Sequence, residues 1–264
     1  MKSIFFLICL FPCLLFSSNP YPLSKYCPEN YFSGRQAFLS AALKNEKVTQ
    51  IDSLQLSCKG PSQEDLFIDV AIFGNISTAS KILFHISGTH GVEGGAGSGI
   101  QYEFLSNTTS IEEDTAIIFI HALNPFGMAW NRRVNENNVD LNRNCTNDRI
   151  TPSLYALLDP IINPKIPKPF DISAYKELIQ CYGKLAVKKA AMEGQFSFPE
   201  GLFYGGIDIE EGPKLLIEWC VNQFSNKKKA RDSLKVGIID VHTGLGPFAC
   251  DTLITMDPPT EPMM

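Results

Sequence analysis

The chain has 264 residues, 44% of them hydrophobic and 19% charged, with a net charge of −5 and a pI near 5.4. That length and apolar content suffice for one large globular domain with a full core. The acidic balance argues against nucleic acid as a partner, and the basic run Lys227-Lys228-Lys229 reads as a solvated turn after a helix.

Residues 1–18 read as a secretory signal: Lys2 supplies the positive end, Ile4 to Phe16 the apolar run, and Ser17 and Ser18 small residues for cleavage. The apolar run is short for a membrane span; an uncleaved anchor is the alternative, and no other stretch is suited to cross a bilayer. Residues 19–264 then form a single domain, exported into an oxidising compartment. Its six cysteines, Cys27, Cys58, Cys145, Cys181, Cys220 and Cys250, either form up to three disulfides or remain thiols. None has C-x-x-C spacing. Asn75, Asn107 and Asn144 open N-x-S/T sequons.

Tyr31 to Lys44 has the spacing of an amphipathic helix, with Phe38, Leu39, Ala42 and Leu43 recurring on one side. Leu66 to Phe73 alternates as a strand. Lys81 to Ser87 and Thr115 to His121 are apolar, β-branched runs suited to central strands. Gly99 to Leu105, Ala174 to Met192 and Pro213 to Phe224 read as helices, Pro160 to Pro169 as a loop, and Val236 to Val241 as another central strand. Strands alternating with helices predict an α/β domain: a mixed, mostly parallel sheet flanked by helices. Ligands of such sheets bind beyond the carboxyl ends of the strands.

Two such ends carry metal-ligand residue types. His90 and Glu93 follow the strand ending at Ile86, and His242 follows the strand ending near Val241. Two imidazoles and one carboxylate make a three-ligand set for a catalytic zinc, leaving the fourth position for water. Asp240, two residues from His242, shares its strand face and either hydrogen-bonds that histidine or caps a turn. The glycines of Gly94 to Gly99 raise phosphate binding as a rival, but they lack the dinucleotide fingerprint and a following Lys-Ser/Thr. His85 and His121 read as core residues. Gly201 to Gly206 either lines the cleft or is a surface turn. Between the ligand candidates, residues 132–144 are rich in Arg and Asn, side chains that grip carboxylates and carbonyls.

Ser87-Gly-Thr-His-Gly-Val-Glu-Gly94, Asn124-Pro125, Arg133-x-Asn-x-x-x-Val-Asp-Leu-Asn-Arg143-Asn and Asp240-x-His242 resemble the zinc carboxypeptidase superfamily, which also holds murein-peptide amidases and the succinylglutamate desuccinylase and aspartoacylase group. Cys27-Pro-Glu-Asn-Tyr31, Phe38-Leu-Ser-Ala-Ala42 and Phe198 to Gly206 resemble a branch whose function is largely undefined; the resemblance covers about residues 27–250. It implies one zinc on His90, Glu93 and His242. Arg133 would polarise the scissile carbonyl and stabilise its oxyanion. Asn142 and Arg143 would hold a substrate carboxylate, and Asp140 would hydrogen-bond the far nitrogen of His90.

The resemblance implies a zinc hydrolase cleaving an amide bond next to a free carboxylate, on a peptide or an N-acyl amino acid. A small-molecule N-acyl amino acid deacylase is the alternative. The superfamily's general base is a glutamate on a later strand. After His242 this sequence offers only Glu261, in a proline-rich tail, so the expectation is a domain incomplete at its C-terminus. A zinc-binding pseudo-peptidase is therefore a third reading. The sequence gives no oligomeric state.

Overall fold

The computed structural model describes residues 3–10, 25–225, 234–244 and 252–255, the first and last of these by their backbone. The chain divides into two compact units, Met1–Arg133 with Lys214–Met264, and Val134–Pro213. The stretch expected as one domain thus carries an 80-residue unit inserted after Arg133.

The first unit is built on a seven-stranded mixed sheet of order β2-β3-β5-β4-β6-β1-β7. Its strands are β1 (Ser3–Leu10), β2 (Val48–Lys59), β3 (Asp65–Phe73), β4 (Lys81–Ile86), β5 (Thr115–His121), β6 (Lys235–Thr243) and β7 (Thr252–Thr255). The pairs β5–β4, β4–β6 and β6–β1 are parallel; β2–β3, β3–β5 and β1–β7 are antiparallel.

The period-2 pattern of β3 and β5 accounts for two apolar layers. Ile68, Val70 and Ile72, with Ala116, Ile118 and Ile120, pack with Trp219 of α8 (Glu211–Phe224). Ala71, Phe73, Ile117 and Phe119 face the other way, onto Phe38, Ala41 and Ala42 of α1 (Tyr31–Lys44) and Leu105 of α2 (Gly94–Asn107). Burying each large side chain contributes about 1.5–3 kcal/mol. Asn30 starts α1 with a capping box, its side chain accepting from Ser33 N while Ser33 returns to the Asn30 backbone. The short α3 (Pro125–Ala129) starts at Asn124, whose side chain caps Gly127 N.

In this unit one expectation needs correction. Strand β2 had no counterpart in the sequence reading, because Thr49, Gln50, Asp52, Ser53, Gln55 and Ser57 dilute its apolar signal; at the sheet edge one face meets solvent. The glycines of Gly94 to Gly99 open α2, which contains the helix expected over Gly99 to Leu105. A Cβ at Gly97 would lie 2.6 Å from Ser87 Cβ, so the small residue lets the helix sit close on the sheet. Ser3–Leu10, inside the expected signal, is here a strand beside β6. An uncharged apolar run suits a sheet strand as well as a signal core. Ser17 and Ser18 lie outside the described residues. Among the described residues, no helix is long and apolar enough to cross a membrane.

The second unit holds α4 (Leu141–Asn144), α5 (Tyr155–Ile162), α6 (Ile172–Tyr182) and α7 (Lys184–Met192). The single helix expected over Ala174–Met192 breaks at Gly183, whose φ of +82° lies in the left-handed region. Pro160, expected in a loop, sits inside α5. Tyr155, Leu158 and Val187 are fully buried here. The loop Gly201–Gly206 is no plain surface turn. Tyr155 Oη donates to Leu202 O at 2.7 Å, and Asn144 Nδ2 donates to Gly205 O at 2.9 Å. Arg149 donates to the carbonyls of Gly205 and Gly206.

Candidate metal centre

β4 and β6 are neighbours in parallel register, with Ile86 opposite Asp240. Both strands end on the same, carboxyl side of the sheet. His90, four residues past Ile86, and His242, two past Asp240, therefore arrive together. A 3₁₀ turn over Gly91–Glu93 folds Glu93 back beside His90, with Glu93 N donating to His90 O at 3.0 Å. Position 91 must be glycine for this path: a Cβ there would fall 1.9 Å from the carbonyl carbon of Gly127.

The three side chains converge. Nδ1 of His90 lies 3.0 Å from Nδ1 of His242. Glu93 Oε1 is 3.1 Å from His90 Nδ1, and Oε2 is 3.3 Å from His242 Nδ1. One donor atom from each residue lies within 4.8 Å of the others. Both imidazoles are 3% exposed. On its far side, His242 Nε2 lies 2.8 Å from Asp240 Oδ2. A carboxylate only accepts, so Nε2 carries a proton, and Nδ1 is the ring nitrogen that faces inward. Asp240 Oδ1 accepts from Thr89 Oγ1 at 2.8 Å.

The electrostatics favour positive charge here. Burial opposes ionisation of Glu93, but hydrogen bonds from His242 and His90, the charge of His90 and the Thr243 N–H at 2.8 Å outweigh it and hold the carboxyl well below its usual range. Burial likewise opposes protonation of His242; Asp240 and Glu93 outweigh it and push its pKa up to about 9. Two imidazole lone pairs cannot face each other at this distance without a proton or a cation between them. Two nitrogens and a carboxylate at the end of adjacent strands fit a borderline-soft divalent metal such as zinc.

Arg133 joins this cluster. The backbone carbonyls of Arg132 and Arg133 accept from Val92 N and Gly91 N at 3.1 and 3.3 Å, which pins the arginine segment to the ligand loop. Asn124 Nδ2 donates to Arg133 O at 3.3 Å. Arg133 Nη1 then donates to Glu93 Oε1 at 3.2 Å, with its side chain 36% exposed. A fixed cation thus stands beside the ligand set with one side open to solvent.

The remaining candidates belong to the second unit. Asp140 is fully buried and caps α4, accepting from Asn142 N at 3.0 Å. Asn142 and Arg143 line an open cavity of about 510 Å³ with Cys145, Asp148, Glu193 and Phe196. Arg143 donates from Nε and Nη2 to Met192 O at 3.2 and 2.9 Å, and its guanidinium lies 5.9 Å from the Phe203 ring centre.

His85 and His121 lie in the core. Gln101 Nε2 is 3.1 Å from His85 Nδ1. Ser98 Oγ is 2.8 Å from His121 Nε2, and the His121 ring stacks on Phe38 at 4.9 Å. Burial pushes both down to about 4. Cys145, Cys181 and Cys220 are thiols, so three disulfides do not form among the six cysteines. The sequence reading missed Thr89 and the Thr243 N–H. Their roles depend on the register of β4 against β6, which no local pattern encodes.

The protein family described as a protein of unknown function, DUF2817, matches residues 27–264. No curated protein matches the chain. Among solved structures, the glutaminyl cyclase of Fimbriiglobus ruber is similar at 11% identity and a TM-score of 0.29, over 40% of this chain and 46% of that one. A metallo-carboxypeptidase from Burkholderia cenocepacia is similar at 14% identity and a TM-score of 0.32, over 56% of this chain and 37% of that one. The chain thus spans less than half the length of either structure.

Proposed function

The chain belongs to the DUF2817 family, and from that premise we propose that it is a zinc-dependent hydrolase that cleaves an amide bond next to a free carboxylate. The observation that carries this reading is the convergence of His90, Glu93 and His242 at one strand edge with Arg133 beside them. When bound, a zinc ion supplies Lewis-acid polarisation and an acidified water. His90 and His242 would hold it through Nδ1 and Glu93 through its carboxylate. Asp240 keeps the His242 proton on Nε2, away from the ligand face. Arg133 would take the carbonyl oxygen as it gains negative charge, a task for a fixed cation at a partly dry edge. Arg143 and Asn142 would receive the substrate carboxylate.

The test is a substrate panel on the zinc-loaded protein: short peptides and N-acyl amino acids, each with a free and an amidated terminus. The expected result is turnover of the free-acid forms, with Arg143→Ala raising KM on those alone. Equal KM effects on both forms would contradict the carboxylate subsite, and no hydrolysis of any member would contradict the reaction class.

A further inference from the structure

Thr89 stands next to His90 in the chain, yet its hydroxyl serves the other histidine. It is 2% exposed, and its Oγ1 donates to Asp240 Oδ1 at 2.8 Å. The second oxygen of the same carboxylate lies 2.8 Å from His242 Nε2. A hydroxyl has one proton to donate, so this contact uses it. A carboxylate held by one oxygen alone can turn about its terminal bond. Held by both, it has a single orientation, and the imidazole that donates to it has a single tautomer. The loop that brings in His90 therefore also locks the partner of His242, across the boundary between β4 and β6.

We propose that Thr89 is a positioning residue of the metal centre: through Asp240 it holds His242 in the Nε2–H tautomer, with Nδ1 facing the metal position. This rests on the metal-centre reading above, and it assigns the chain Thr89–Asp240–His242 a role that no single pair in it has. The rival is a buried hydroxyl that is merely satisfied. That rival predicts a loss of stability on removal but no change in the state of His242.

The experiment compares the parent with Thr89→Val, which keeps the shape and removes the hydroxyl, and Thr89→Ser, which keeps the hydroxyl. Zinc affinity is measured by chelator competition, and the ring nitrogens of His242 are followed by ¹⁵N NMR in metal-free protein at a pH high enough that the ring is neutral. Losing such an outer hydrogen bond costs about 10–100-fold in metal affinity. We expect that loss in Thr89→Val, recovery of most of it in Thr89→Ser, and mixed His242 tautomers in Thr89→Val only. If Thr89→Val does not fold, Thr89→Ala against Thr89→Ser carries the same comparison. Unchanged affinity and an unchanged tautomer in a folded Thr89→Val or Thr89→Ala protein would overturn the proposal. If the parent binds no zinc, the metal reading falls by itself. The clamp is then decided by NMR alone: mixed tautomers in the variant support it, and an unchanged tautomer overturns it.

Discussion

His90 and His242 present Nδ1 to Nδ1 across 3.0 Å, although 152 positions separate them in the chain. Adjacent parallel strands bring them there, and the Glu93 carboxylate closes the third side. The two imidazoles are buried, and Arg133 is a neighbouring cation outside the three ligand candidates; we propose that metal holding and transition-state work are divided between those three and Arg133.

Arg133→Ala tests that separation. The guanidinium touches Glu93 but is not among the ligand candidates. Zinc content should stay at the parent level while kcat falls about 10²–10³-fold, the usual cost of removing one oxyanion donor. Zinc analysis and steady-state kinetics on one preparation check this. Loss of the metal with the activity would place Arg133 in metal holding instead.

Acid should destabilise the fold through His85 and His121. Both are pushed down from 6.5 to about 4 by burial. In the unfolded chain each binds a proton near pH 6.5; in the folded chain neither does until about 4. Between those values the unfolded state holds more protons, so stability is full above 6.5 and falls as pH drops towards 4. The loss is roughly 3 kcal/mol for each histidine. His242, pushed up to about 9, works in the opposite sense: its contribution is full below 6.5 and is lost as pH rises through 9. Urea unfolding at several pH values checks the acid limb. His121→Phe should flatten part of it, and an unaltered slope in that variant would contradict the assignment.

Two ion pairs made by β3 should differ widely in worth. Asp69 is fully buried, accepts Arg35 Nε at 2.7 Å and Nη2 at 3.0 Å, and also accepts from Ser53. Asp65 pairs with Lys59 at the surface. Asp69→Ala leaves a partly buried guanidinium without its partner and should cost about 3–5 kcal/mol. Asp65→Ala should cost no more than about 1 kcal/mol. Denaturant midpoints at constant slope measure both, and equal costs would show that burial is not deciding.

On export, the mature chain should begin near Asn19. In a glycosylating secretory host, Asn144 should stay bare, because it is fully buried, its Nδ2 donates to Gly205 O and Asp208 O, and its Oδ1 accepts from Glu210 N. Asn75 lies in an exposed turn. N-terminal sequencing and glycopeptide mapping check these points. A retained Met1 would favour Ser3–Leu10 as a permanent strand, and a glycan on Asn144 would contradict the packing of α4.

Much of the fold was legible where a single period dominates. Tyr31–Lys44 and Thr115–His121 have in the structure the bounds that their apolar spacing suggests, and Asn30 supplies the helix start. β2 was not legible, because a polar edge strand has no apolar run to announce it. Gly183 was hidden inside a helical pattern, since a lone glycine is tolerated in a helix until its φ turns positive. His90, Glu93 and His242 stood out as ligand types at strand ends. Thr89 did not, because its partner depends on Ile86 lying opposite Asp240. Val134–Pro213 as a unit of its own was equally invisible, since it is defined by packing between residues distant in the chain.

The central claim is that His90, Glu93 and His242 hold one zinc ion. Metal analysis of the purified protein, after dialysis against a trace of zinc, tests it most directly when parent, His90→Ala and His242→Ala are run together. The account predicts about one equivalent in the parent, as for a three-ligand site, and loss of most of it in either variant. One equivalent retained in both variants would contradict it.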